Sequence, residues 1–105
     1  MQRGEVWWAE FPAPVGRRPV LLVSRQRAIE VRAFVMVAQV TTTIRDLPVE
    51  VPLGAEDGLP KPCVANCDVL TTVPKHVLKE RLCLLHSRKL SAVNAALRFA
   101  LGLEA

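Results

Sequence analysis

The stretch FVMVAQVT, residues 34–41, determines the fold class that the sequence predicts. Its Val-rich composition and its length are typical of a β-strand, because β-branched and aromatic side chains fit a pleated surface. Five further runs share this character, at residues 4–11, 18–24, 49–53, 63–70 and 81–85. The sequence therefore predicts a mainly β protein with six short strands.

The segments between these runs carry turn-forming and polar residues. They read PAPVG, RQRAIEVRA, RDLP and GAEDGLPKP, followed by a stretch that holds Pro74. Connections of this kind are typical of a meandering barrel or sandwich. Residues 77–80, VLKE, are also compatible with a short helical turn.

Only the end of the chain has helical periodicity. Apolar residues recur there at spacings of three and four, at Leu90, Val93, Leu97 and Leu101. Ser87 precedes them as a predicted N-cap, and Gly102 suits the C-terminal stop. One amphipathic helix is expected to close the chain.

The chain has 105 residues, half of them hydrophobic, which suffices for one core without disulfides or metals. We expect a single domain over residues 1–105. The longest apolar runs fall far short of the roughly 20 residues of a membrane span, and the polar start MQRGEV lacks the apolar stretch of a secretory signal. A cytoplasmic protein without membrane contact is predicted. Its net charge of +4 is compatible with polyanionic partners.

Three cysteines, Cys63, Cys67 and Cys83, cannot form a closed set of disulfides because their number is odd. They also lack the paired spacing and the clustered histidines of a tetrahedral zinc site. We interpret them as small core residues, and we expect no metal site.

Five strings of the sequence, in this order and at this spacing, resemble the MazF/PemK (Kid) family of toxin endoribonucleases. They are RGEVWWAEFP, GRRPVLLVSR, VTTTIRDLPVEVPL, GLPKPCVANCDVLTT and KERLCLLHSRKLSAVNAALRFALGL, and they cover nearly the whole chain. The resemblance implies a small SH3-like barrel of the CcdB/MazF type with a C-terminal α-helix. It also implies a homodimer that cleaves single-stranded RNA at a short sequence without a metal or other cofactor, and that a cognate MazE-like antitoxin inhibits.

The resemblance places the catalytic residues at Arg18 and Thr41. The family assigns catalysis to the Arg of the RPVL string, and it has a catalytic or phosphate-contacting Thr at the position of Thr41. Metal-independent cleavage uses the 2′-hydroxyl of RNA as nucleophile and passes through a charged phosphorane. Because the pKa of arginine lies above about 12, Arg18 suits stabilisation of the phosphorane better than proton abstraction. Thr41 is expected to position the phosphate.

Five further residues are predicted to contact RNA, namely Arg17, Thr42, Arg45, Asn66 and Asp68. The Kid branch of the family uses an RCD string with a catalytic Asp and Arg. Here the string reads NCD, so Asp68 matches while Asn66 replaces the arginine. That branch also uses a histidine in the first loop, which reads PAPVGRRP in this chain. Kid-like proton transfer is therefore not expected.

Several alternatives stay open at the level of sequence. A gyrase-binding toxin of the CcdB type has the same barrel, although its family ends in a Trp-Gly-Ile string that this chain lacks. A degenerate barrel that binds RNA or an antitoxin without cleaving is the other alternative. His76 and His86 could form an acid–base pair. Trp7 and Trp8 are adjacent on a strand and must point to its opposite faces. Residues 54–62 could form a movable rim over the RNA or a plain surface loop.

Overall fold

The computed structural model describes residues 1–103, which form six strands and two helices. In chain order these are β1 (Glu5–Glu10), β2 (Arg17–Leu22), α1 (Gln26–Val31), β3 (Phe34–Thr41), β4 (Glu50–Leu53), β5 (Cys63–Pro74), β6 (Leu78–Leu84) and α2 (Ser87–Ala100). Short 3-10 turns at Ala55–Asp57 and Lys75–Val77 precede β5 and β6. Neither helix has the length and hydropathy that a bilayer crossing requires.

All six strands belong to one antiparallel sheet in the order β4-β5-β3-β2-β1-β6. The sheet curls into a half-barrel, as the predicted barrel with a C-terminal helix requires. A bulge interrupts the pairing of β3 with β5, where the partner changes from Leu70, opposite Ala38, to Asn66, opposite Gln39. Bulges bend a strand and increase its twist, and this one lies at the centre of the curled sheet.

Apolar side chains from both faces of the sheet are buried. Along β3, Val35 and Val37 join one cluster, while Ala38 and Val40 join another, because successive side chains point to opposite faces. The α2 helix covers the cluster that contains Val40, and the α1 helix covers the one that contains Val37. Cys63 and Cys67 are buried and Cys83 is partly buried, which confirms their interpretation as core residues.

The six predicted strands are all present, but three details differ. β5 continues to Pro74, because its pairing with β3 extends to Phe34. The predicted connection over residues 25–33 contains the α1 helix, which buries Ile29. The predicted helical turn over residues 77–80 is wrong, since the 3-10 turn ends at Val77 and β6 begins at Leu78, where it pairs with β1.

The α2 helix begins one residue earlier than predicted and ends as expected. His86 occupies the N-cap position, without a side-chain hydrogen bond, and Ser87 is the first helical residue. At the other end Gly102 adopts a φ of +69°, and its N–H donates to the Phe99 carbonyl at 3.2 Å. A residue in the left-handed conformation commonly follows the end of a helix, and glycine adopts this conformation at low energetic cost.

Substitution of Gly58 by alanine is expected to destabilise the protein by about 2–4 kcal/mol. Gly58 has a φ of +98°, and an added Cβ would lie 2.9 Å from the Cβ of Cys83. Gly16→Ala is the matched control, because Gly16 has a φ of +71° with nothing within 4 Å of the added atom. Gly16→Ala should cost only about 1–2 kcal/mol. Urea unfolding of both variants measures the difference, and equal losses would contradict this account of the Gly58 contact.

Candidate active site

A groove of about 480 Å³ opens where β2 begins and β3 ends. Its lining combines basic, hydroxyl, amide and apolar side chains. The lining residues are Trp8, Arg17, Arg18, Pro19, Gln39, Val40, Thr41, Thr42, Leu59, Pro60, Lys61, Cys63 and Leu82. Four residues that the sequence analysis singled out for catalysis or RNA contact therefore lie together.

The strand register brings these residues together. β2 runs antiparallel to β3 with Val20 opposite Gln39, so the first residues of β2 lie beside the last residues of β3. Arg18 pairs with Ala9 on the other side, in β1. Pro19 lacks an N–H, and the pairing of β2 with β3 begins only at the next residue, Val20, so β2 is an edge on that side at Pro19, where a sheet tolerates proline. Arg18 and Thr41 consequently share one end of the sheet.

The Thr41 hydroxyl forms a local turn and retains its donor. Its Oγ1 accepts a hydrogen bond from the Thr43 N–H at 3.1 Å, a common arrangement where a Thr ends a strand. A hydroxyl that accepts one bond can still donate its own proton. Thr41 is half-buried and lines the groove, so this proton can reach a ligand oxygen there.

Arg18 is exposed at the groove, and its side chain makes no hydrogen bond or ion pair with residues 1–103. Its guanidinium therefore offers the full planar set of donors that matches a phosphate or carboxylate. Two oxygens of one phosphate group would accept hydrogen bonds from two of these donors. The arrangement of Arg18 beside Thr41 can thus bind an anionic group from two sides.

Arg17 also lines the groove, but neighbouring side chains engage it. Its Nη2 lies 2.6 Å from Oε1 of Glu80, and its guanidinium carbon lies 4.6 Å from the centroid of the Trp8 ring. The ion pair is largely exposed and is therefore weak in energetic terms. It nevertheless offsets the charge of Arg17 at the edge of the groove.

The other three predicted RNA-contacting residues do not line the groove. Asn66 is buried, and its Oδ1 accepts the Asp68 N–H at 2.9 Å inside the β5 bulge. Asp68 itself is exposed and lies within that bulge, between Asn66 and Leu70. Arg45 is exposed in the loop after β3, and its N–H donates to Oε1 of the buried Glu50 at 3.0 Å. Nothing in the sequence indicated the bulge that follows Asn66 and contains Asp68.

The two tryptophans have different surroundings. Trp7 packs against the core cluster under α1, and its indole N–H donates to Oε1 of Glu5 at 3.0 Å. Trp8 lines the groove beneath Arg17. One ring therefore serves mainly the core and the other lies at the functional surface.

The rim over residues 54–62 is anchored at several points. Asp57 is buried, and its Oδ2 accepts the Gly54 N–H at 2.9 Å and lies 3.6 Å from Nζ of Lys89 in α2. Lys89 also donates to the Pro52 carbonyl. Leu59 is buried, which fixes the segment on the core. These contacts favour a fixed rim over a movable one.

The remaining candidate groups do not combine into a second site. His76 and His86 are exposed and neither lines the groove. Within residues 1–103, no three His, Cys, Asp or Glu side chains cluster closely enough to hold a metal ion. Cys63 lies in the groove wall, where burial and the nearby Asp57 raise the pKa of its thiol. Lys61 is the charged lining residue that the sequence analysis did not single out, and its position in the GLPKP string was the available signal.

The chain is similar to known proteins over most of its length. Residues 2–101 match the family described as "PemK-like, MazF-like toxin of type II toxin-antitoxin system". The chain is 42% identical over 99 residues to a probable endoribonuclease MazF5 of Mycobacterium tuberculosis, covering 93% of this chain and 90% of that relative.

Solved structures are similar over almost the whole chain. The Mycobacterium tuberculosis toxin MazF-mt6 has a TM-score of 0.86 at 32% identity, covering 96% of this chain and 99% of that one. An endoribonuclease in complex with its cognate antitoxin, from a mycobacterial species, has a TM-score of 0.89 at 31% identity, covering 100% and 98%.

The buried thiol of Cys67 is expected to alkylate slowly. Burial, with a smaller contribution from Asp68, raises its pKa to about 11. At a pH of about 8 its thiolate fraction is then far below that of an ordinary thiol, and its reaction with iodoacetamide should accelerate as the pH rises toward that pKa. Mass spectrometry of the modified peptide measures the rate, with urea-unfolded protein as the control. Equal rates in the folded and unfolded protein would contradict the prediction.

Proposed function

Since the chain belongs to the PemK-like, MazF-like family of toxins, whose members are endoribonucleases, we propose that it cleaves single-stranded RNA at a short sequence in the groove around Arg18 and Thr41. The observation that carries this proposal is the juxtaposition of an unpaired guanidinium and a hydroxyl donor at one end of the sheet. That pair suits a tetrahedral or pentacovalent phosphate better than a neutral ligand.

The proposed reaction is an internal transfer. The 2′-oxygen attacks the adjacent phosphorus, the bond from phosphorus to the 5′-oxygen breaks, and the products carry a 2′,3′-cyclic phosphate and a 5′-hydroxyl. The 2′-hydroxyl loses one proton and the departing 5′-oxygen gains one. The negative charge on the non-bridging oxygens increases toward the phosphorane, where Arg18 would donate two hydrogen bonds. Thr41 would donate a third and fix the orientation of the phosphate.

The residues that line the groove limit which side chains could act as a general acid or base. Among the described residues, none that lines the groove is a His, Asp or Glu, and a neutral guanidinium is rare in proteins because arginine is so weakly acidic. The rate increase would therefore come mainly from stabilisation of the phosphorane and from alignment of the 2′-oxygen with the leaving oxygen. Thr42 would contact the strand beside the scissile phosphate, while Arg17, Arg45, Asn66 and Asp68 would act at or beyond the margin of the groove.

The proposal includes partners of two kinds. One solved relative is in complex with its cognate antitoxin, and a groove with three basic lining residues and no acidic one suits an acidic, flexible peptide. We propose that a MazE-like antitoxin inhibits this chain, that the chain acts as a homodimer, and that it works in the cytoplasm without a cofactor. Size-exclusion chromatography with light scattering tests the dimer independently of activity.

Arg18→Ala is expected to lower the cleavage rate about 100- to 1,000-fold, because it removes the donors aimed at the developing charge. Thr41→Ala should lower it about tenfold, and Thr41→Ser should retain most of the activity, since its hydroxyl is kept. The measurement uses single-stranded RNA of mixed sequence in EDTA, with end-group analysis of the fragments. Thermal unfolding of each variant controls for the fold.

The outcomes separate the candidate functions. Discrete cuts with cyclic phosphate ends that disappear in Arg18→Ala would support both the reaction and its site. Cleavage by Arg18→Ala at the wild-type rate would refute the site assignment. A folded wild-type protein that cuts no RNA would refute the reaction and favour a binding toxin of the gyrase-directed kind.

A further inference from the structure

We propose that Lys61 is the second phosphate-binding cation of the groove and holds an RNA phosphate next to the one at Arg18. This inference rests on the proposed function and adds a residue to it. Lys61 lies on the rim and lines the same groove as Arg18 and Thr41, although it belongs to a different segment of the chain. An extended strand bound to the groove would therefore pass between the rim and the start of β2.

The three basic residues that line the groove differ in whether their side chains already have partners, and this difference supports the assignment. Glu80 and Trp8 engage Arg17. The side chains of Arg18 and Lys61, in contrast, make no hydrogen bond or ion pair with residues 1–103. A phosphate bound to Arg17 would be repelled by the carboxylate of Glu80 unless it displaced that contact, whereas Lys61 has no ion pair with the described residues. The net binding free energy from a phosphate contact is consequently more favourable at Lys61 than at Arg17.

The anchoring of the rim supports the assignment from a second direction. Pro60 and Pro62 flank Lys61 and restrict its backbone. Leu59, one residue earlier, is buried on the core, and its N–H donates to the Gly54 carbonyl at 3.1 Å. The backbone of Lys61 is thus already ordered before a ligand binds. Only the freedom of its side chain is lost on binding, which lowers the entropic cost of the contact.

The salt dependence of RNA binding tests the assignment directly. For a single strand, each phosphate contact contributes about 0.7 to the slope of log K against log salt. Lys61→Ala is expected to reduce the slope by about 0.7 between about 50 and 200 mM salt and to weaken binding about fivefold at the low end, uniformly across sequences. The probe is a fluorescent RNA whose 2′-hydroxyls are methylated, so that it binds without being cut.

Two variants serve as controls. Lys61→Arg keeps the charge and should keep the slope. Lys75→Ala removes the same charge near the other end of β3, where the Lys75 N–H donates to the Ala33 carbonyl, and should leave the slope unchanged. Because Lys61 is exposed, the melting temperature of Lys61→Ala should equal that of the wild type.

The results distinguish a failure of the Lys61 assignment from a failure of the proposed function. A wild-type slope in Lys61→Ala, while the wild-type protein cuts RNA, would overturn the role of Lys61 and leave the proposed function intact. An equal loss of slope in Lys75→Ala would also overturn it, because the effect would then reflect net charge alone. A wild-type protein that neither binds nor cuts RNA would overturn both.

Discussion

The antiparallel register of β2 on β3 is the constraint on which the groove depends. With Val20 opposite Gln39, the start of one strand meets the end of the other, and side chains far apart in the sequence become neighbours. A shift of the register by one residue would exchange the two faces of β2 and place each of its buried side chains in the cluster that packs against the other face. Leu21 and Leu22 are both fully buried, on opposite faces, so the core opposes such a shift. Burial of these leucines therefore fixes the register of β2 and, with it, the position of Arg18.

A second set of contacts fixes the opposite wall. The buried carboxylate of Asp57 lies between the Gly54 N–H and the ammonium group of Lys89, and so joins the rim to α2. Burial makes such a carboxylate costly unless its hydrogen bonds and charge are matched. Gly58 then passes so close to Cys83 that no side chain fits there. The terminal helix, although it contributes no residue to the groove lining, therefore helps to define the shape of the groove.

The hydrophobic patterns predicted the strands and the terminal helix, while the placement of Arg18 and Thr41 in one site came from the family resemblance. The sequence did not predict α1, whose single buried residue, Ile29, carries too little periodicity. The bulge beside Asn66 was equally hidden, since it arises from the fit of β5 to two neighbours with different registers. Side-chain pairing, such as that of Arg17 with Glu80, depends on contacts across 63 positions that no local pattern records.

Stability and function depend on largely different residues in this structure. Arg18 and Lys61 are exposed, hydrated and unpaired within residues 1–103, so the folded state neither gains nor loses much from their charges. Asp57 and Lys89, in contrast, stabilise the rim and do not line the groove. The two cations can therefore bind and release a polyanion without disturbing the core. An acidic peptide and an RNA strand would compete for the same two charges, and this competition gives inhibition a direct electrostatic basis.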